Sequence, residues 1–421
     1  MKDMLSFYDN LTPEKRRVVR LGVFFIGLYL MNVLFNPLDS GDVLIFFDYS
    51  QEFKQGVLFD DGGFSEYPPL AWPFILLPGL FVDTLGAYNL IYTAIDVICM
   101  FVISLVLIRI CGSRTKHIDL LLIAYLIMTV LYVDQAVKKF DIIAVMMMSL
   151  SLMSFIEKRY AGAVSFAIIG GLIKIFPFLL LPVFFIMVLR KREESIATVI
   201  PFIVWIVGLA IAAAMAMSFG VDKDIIFGFL TFQGGRGFHV ESFIGTLSVV
   251  ICHITGDPTS YVIANHTKDV DNFICDALVD YWIYIFLISM AAVVLAISIK
   301  YLKHGSEMEE EDNYRFLTSA ALAMVVAMLL ANKVFSTQFI QWVYPLIVMY
   351  MCFRDEKGII TVAAVFCLTV AISRFFLAES IQEMLLFRDI LLIIFLYSGL
   401  LYVTRKDWEF IVRRLVDRFS R

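Results

Sequence analysis

Apolar runs of helix length recur along almost the whole chain. They lie near residues 17–36, 87–108, 118–133, 141–156, 161–175, 176–190, 195–218, 280–302, 315–331, 339–353, 358–377 and 385–404. Each has about the length needed to cross a bilayer's hydrocarbon core as a helix. A chain with such runs must satisfy its backbone inside each segment, and in lipid the helix does this. The expectation is therefore an all-α polytopic membrane protein with about twelve transmembrane helices. Two further apolar runs, 70–82 and 242–255, are short, contain Pro or follow polar loops, and read as interfacial or re-entrant pieces. Composition agrees: 60% of the 421 residues are hydrophobic and only 17% charged, with a mean hydropathy of +0.84. That excludes an ordinary soluble domain.

Charge placement sets the expected orientation, because short cytoplasmic loops collect Lys and Arg. With the N-terminus inside, most of the chain's 34 Lys and Arg fall on inner segments, among them Arg16, Arg17, Arg109, Arg114, Lys158, Arg159, Arg190, Lys191, Arg354 and Lys357. Counting 70–82 as a full span breaks this pattern. Both termini are thus expected in the cytoplasm. The run Val18–Phe35 reads as a signal anchor, with no cleavage site after it. Residues 1–404 form one transmembrane domain, and 405–421 a basic amphipathic tail on the inner surface, anchored by Trp408, Phe410 and Ile411. Six scattered cysteines make no zinc pattern. Cys252 and Cys275 either pair or remain two thiols, the latter being favoured.

The outer face carries the polar material, in segments 37–86 and 219–279 and in turns holding Lys138, Lys174 and Lys333. Gly41–Leu70 is a polar, acidic loop of about thirty residues, where ordinary connections are short. It holds Asp42, Asp48, Glu52, Asp60, Asp61 and Glu66 against a single Lys54. Carboxylates at the lip of a bundle are natural general bases. Asp48 reads equally well as a helix N-cap before Tyr49. Lys174, beside a Pro between apolar segments, is an ionisable group at membrane depth and so a functional candidate. Lys138 and Lys139 read as interfacial anchors, and His239, His253 and His266 as lone structural histidines. Asn265-His266-Thr267 fits a glycosylation sequon. No Walker or dinucleotide motif occurs, and nothing points to nucleic acid as a partner.

Five outer-face clusters follow in order: Gly41-Asp42 with Phe46-Phe47-Asp48-Tyr49 and Gly56; Glu66-Tyr67-Pro68-Pro69-Leu70; Lys138-Lys139-Phe140-Asp141; Lys174-Ile175-Phe176-Pro177; and Arg236 with Glu241-Ser242, joined by Asn332-Lys333-Val334-Phe335-Ser336-Thr337-Gln338-Phe339 and Trp342. In this order and spacing they resemble the C-type (GT-C) glycosyltransferases, especially the polyprenol-phosphate-mannose-dependent mannosyltransferases of family 87, and next the first mannosyltransferase of GPI-anchor assembly. The resemblance covers most of the chain, and only the order of the five makes it specific. Phe46 stands where Tyr is common, Leu58-Phe59 replaces a usual Pro-Tyr, and Thr337 and Phe339 occupy positions often held by Pro or Ser and by Tyr.

The resemblance implies a GT-C fold and an inverting transfer of a hexose, mannose first, from a polyprenyl or dolichyl phosphate to a lipid-linked or surface glycan. It implies the plasma membrane as the location and Asp42 as base. Lys174, Arg236 and Lys333 would meet the leaving phosphate, and Asp48, Glu66, Tyr67, Glu241 and Gln338 the substrates. A divalent cation near Asp42, Asp48 and Glu66 is left open, with none assigned. Two alternatives stand beside this reading. A secondary transporter predicts repeat symmetry and midplane charges, and a non-catalytic subunit with the same fold predicts that Asp42→Asn is silent.

Overall fold

The computed structural model describes residues 11–35, 41–58, 66–131, 139–232, 234–264, 267–305, 308–375 and 382–401. The basic tail at 405–421, Asp60, Asp61, Lys138, and Asn265 and His266 of the sequon lie outside the described residues.

The first helix, α1 (Pro13–Phe35), exposes most of its apolar side chains, as a lipid-facing helix does. The acidic segment after it is not an irregular loop. It contains a 15-residue helix, α2 (Gly41–Gln55), with Asp42 in its first turn, where a carboxylate suits the helix dipole. A 3₁₀ turn at Pro69–Ala71 then leads into the short α3 (Trp72–Leu80), at the place expected for an interfacial piece.

Next come α4 (Leu85–Cys111), α5 (Ile118–Leu131), α6 (Asp141–Ile156) and α7 (Tyr160–Ile173). A 3₁₀ turn, Phe176–Leu179, opens α8 (Leu180–Val188), followed by the long α9 (Arg192–Ser218). The outer segment is more structured than its sequence suggests. It holds α10 (Lys223–Phe232), β1 (Phe238–His239), α11 (Phe243–Thr255), β2 (Ser260–Ala264), β3 (Thr267–Asp271) and α12 (Phe273–Val279). The strands form one antiparallel sheet in the order β1-β3-β2, with Phe238 opposite Val270 and Tyr261 opposite Val270 on the other edge. This small sheet in an otherwise helical chain was not foreseen from the sequence.

The chain finishes with α13 (Trp282–His304), α14 (Glu310–Ala331), a 3₁₀ segment (Thr337–Val343) continuing as α15 (Tyr344–Met351), α16 (Glu356–Phe375) and α17 (Gln382–Leu401). Six of the described helices, α1, α4, α9, α13, α14 and α16, are long and apolar enough to cross a membrane. The helices α5, α6 and α7 have 14, 16 and 14 residues, and so reach only about 21–24 Å at the helical rise.

Burial divides these helices sharply. In α14 nearly every residue from Tyr314 to Ala331 is buried, with α17, α13 and α15 packed around it. In α9, by contrast, Thr198 is the one buried side chain among a long apolar surface. That α9 surface has the character of a lipid-facing helix, whereas α14 is the axis of the bundle. Cys252 and Cys275 are both buried free thiols. The architecture is that of a helical membrane protein.

Candidate functional site

The motif residues gather at one end of the bundle. Helix α6 begins there and runs away from it, α7 returns, and the α7–α8 turn brings Lys174 back beside the start of α6. Two glycines permit this close return: a Cβ on Gly171 would lie 2.5 Å from the Phe178 ring, and one on Gly170 would lie 3.1 Å from Pro177. Lys174 Nζ then donates to Asp141 Oδ2 at 3.1 Å, and Trp342 Nε1 donates to Asp141 Oδ1 at 2.8 Å. Asp141 is 1% exposed, so its charge is balanced inside the protein. Lys174 also lies 4.5 Å from the Phe140 ring centroid and 5.0 Å from that of Phe339. Trp342 stacks on both Phe176 and Phe339, which fixes the indole that holds Asp141.

Helix α2 supplies the other half of this cluster. Asp42, Phe46 and Tyr49 share one face at i, i+4 and i+7. Phe46 is fully buried against Tyr67, Tyr92 and Phe140. Asp42 Oδ2 meets Lys139 Nζ at 2.5 Å, with the carboxylate 34% exposed. Tyr49 donates its hydroxyl to Glu66 Oε1 at 3.0 Å. Burial, with the Glu66 and Asp42 charges, raises the Tyr67 phenol well above its ordinary range, so Tyr67 remains a hydrogen-bond donor. Asp48 lies on the opposite, exposed face of α2 and does not join the cluster. Among the described residues no group of three or more His, Cys, Asp or Glu is placed to hold a metal. The geometry that would have joined Asp42 to Asp48 around a cation is therefore not present.

A second group lies beside the first, under the small sheet. Lys333 Nζ donates to the carbonyls of Gly234 (2.9 Å) and Arg236 (2.6 Å) and faces the Trp282 ring, and the residue is 1% exposed. Its charge thus fixes the loop carrying Arg236, whereas the Lys174 side chain keeps 21% of its surface open. Arg236 lies over Phe232 within the field of Glu66 and Asp269, and burial lowers its pKa from the ordinary guanidinium range.

Glu241 Oε2 accepts the Thr337 backbone N–H at 3.0 Å, and its carbonyl accepts from Arg388 Nη2 at 2.6 Å. Burial pushes the Glu241 carboxyl up to about 7, with Arg388 opposing the shift. Gln338, buried in the same 3₁₀ segment, sits between Thr337 on Glu241 and Phe339 on Lys174. His239 Nδ1 is 2.9 Å from the Phe335 carbonyl, a structural bond.

The sequence reading named Asp42, Glu66, Tyr67, Lys174, Arg236, Glu241, Lys333 and Gln338, and these converge on one end of the bundle. It treated Lys139 as an anchor, yet this lysine is the partner of Asp42. It also passed over Arg388 and Asp389, both fully buried and 2.8 Å apart. A charged pair inside the apolar run 385–404 was the available signal.

This end of the molecule is therefore a polar, aromatic-walled cluster set in a helical membrane protein. No protein-family model, curated protein or solved structure matches the chain.

Proposed function

We propose that the protein is a GT-C-type glycosyltransferase that moves a hexose, mannose being the first to test, from a polyprenyl or dolichyl phosphate to a lipid-linked or surface glycan. The observation that carries this reading is the meeting of Asp42 and Lys174, both partly open, across Phe46, Tyr67 and Phe140, residues far apart in sequence.

In this reading Asp42 accepts the proton of the acceptor hydroxyl. The hydroxyl oxygen attacks the anomeric carbon from the face opposite the phosphate. The carbon–oxygen bond to phosphate breaks, its electrons pass to the lipid phosphate, and the sugar inverts. Lys174 and Arg236 stabilise that developing charge. Glu66, Tyr67, Glu241 and Gln338 contact sugar and acceptor, and Lys333 is a positioning residue acting through the Arg236 loop.

Twelve passes through the bundle belong to the same proposal. The ion pair Arg17–Asp119 puts the start of α1 beside the start of α5, and Arg109–Glu157 puts the end of α4 beside the end of α6. Helices α1, α4–α9 and α13–α17 then alternate in direction, and the shorter ones cross where neighbours shield them from lipid. The charge pattern supports both termini inside and the Asp42 end outside, and the plasma membrane follows from the family resemblance.

The test is sugar release from radiolabelled polyprenyl-phosphate-mannose by purified protein, with a crude lipid extract as acceptor. Transfer by the wild type that is lost in folded Asp42→Asn supports the enzyme and its base together. Transfer surviving the substitution moves the base elsewhere. No transfer with any polyprenyl-phosphate sugar overturns the reading.

A further inference from the structure

A cavity of about 210 Å³ opens at the other end of the bundle, where α4, α6, α8 and α13 finish and α5, α7, α9 and α14 begin. It has room for several waters, and none of the motif residues lines it. Its floor is apolar, formed in part by Phe155, Met187 and Leu317. Its rim carries three cations, Arg114, Lys158 and Lys191, and two carboxylates, Glu194 and Glu310.

The rim charges are unequally committed. Lys191 lies 3.4 Å from Glu194, so these two largely cancel. Arg114 lies over the Tyr314 ring and donates one nitrogen to the Ile110 carbonyl, which fixes its direction while leaving other N–H groups. Glu310 stands in the first turn of α14, where the helix dipole favours it.

Lys158 is the informative residue. It has φ +58°, and among the described residues it is the one non-glycine with positive φ. The chain there makes a Schellman ending to α6: Arg159 N–H bonds the Ser154 carbonyl at 2.8 Å and Lys158 N–H the Phe155 carbonyl at 3.0 Å. Glycine is the usual residue at that position because a Cβ is disfavoured. A lysine held there against backbone preference, lining a cavity, points to use of its side chain.

A ligand matching this set brings a negative charge for Lys158 and Arg114. We infer that the cavity binds an anionic phosphate ester, presented either as the headgroup of a lipid or as a small soluble molecule. The inference is independent of the glycosyltransferase proposal, because it uses neither the residues nor the end of the bundle that carry it.

The test uses the full-length chain in detergent and the variants Lys158→Gly and Lys158→Arg. Glycine relieves the positive φ, so Lys158→Gly folds at least as well as wild type while losing the charge. Native mass spectrometry with phosphatidylglycerol is expected to show adducts on wild type and Lys158→Arg, weakened roughly tenfold in Lys158→Gly, as loss of one charge-assisted contact implies. That result identifies a lipid source. A rise in melting temperature with glycerol 3-phosphate alone, lost in Lys158→Gly, identifies a soluble one. Equal behaviour of wild type and Lys158→Gly with both probes overturns the proposal, and so does phosphatidylcholine binding as well as phosphatidylglycerol.

Discussion

The two ends of the bundle differ in whether the lysine facing their opening is already paired. At the Asp42 end each of these cations has a partner within the protein: Lys139 has Asp42, Lys174 has Asp141, Lys333 has two carbonyls and Arg388 has Asp389. At the far end Lys158 is exposed, its ammonium has no partner among the described residues, and its backbone is held in a disfavoured conformation. The difference teaches that a ligand at the first end must exchange partners with an existing network, whereas one at the second end meets a charge already waiting. Exchange of pairs makes binding selective, since a ligand that fails to replace the broken contacts leaves a buried charge uncompensated.

The largest effect that would sharpen this contrast is on turnover. Asp42→Asn is expected to lower sugar transfer by about 10²–10⁴-fold, the usual contribution of a general base. Its melting temperature should barely move, because a partly open ion pair contributes only about 0–1 kcal/mol. Next in size is Asp141→Ala, which strands Lys174 among aromatic rings. Denaturation in detergent should show a loss on the order of 3 kcal/mol, and a loss below about 1 kcal/mol would break the view that this pair is a buried network.

A third test uses pH. Glu241 has a folded pKa of about 7, raised by burial above its ordinary 4.5. The folded state therefore holds the proton more tightly than the unfolded chain, so this contribution to stability is full below about 4.5 and is lost as pH rises through 7. Wild type minus Glu241→Gln should show melting temperatures falling across that window; a flat difference would place Glu241 in contact with water. His239, which burial shifts the other way, cancels in this difference. The smallest effect is at the far end, where Lys158→Gly should stabilise the fold by about 1 kcal/mol through relief of positive φ. Unchanged or lowered stability would remove the argument that Lys158 is held under strain.

Much of the helical frame was legible because lipid imposes one rule on every segment. The run 141–156 appears as a helix with the same bounds, and 70–82 and 242–255 appear as short helices in place of spans. Helix α2 was hidden because its buried face is only Val43, Phe46 and Ser50 among charged residues, too sparse to announce a period. The sheet was hidden because β1 has two residues and β3 carries Thr, Lys and Asp at most positions. The site was legible in its parts and not in its pairings. Which carboxylate meets which lysine depends on turns such as Gly170–Pro177, and sequence order alone does not say that Lys139 reaches back to Asp42 across the α2 face.

The burial of α14 has a consequence for how the protein is made. A helix whose sides are covered almost throughout cannot keep those sides in the lipid it first enters. It has to wait, partly uncovered, for later segments to close around it. Helix α17 packs along it and is the last described helix of the chain. Residues 310–331 are synthesised some fifty residues before α17 begins, so the interior stays open until α17 has left the ribosome. Chains shortened before Gln382 should accordingly be cleared by membrane quality control even though every motif residue at the Asp42 end is already present.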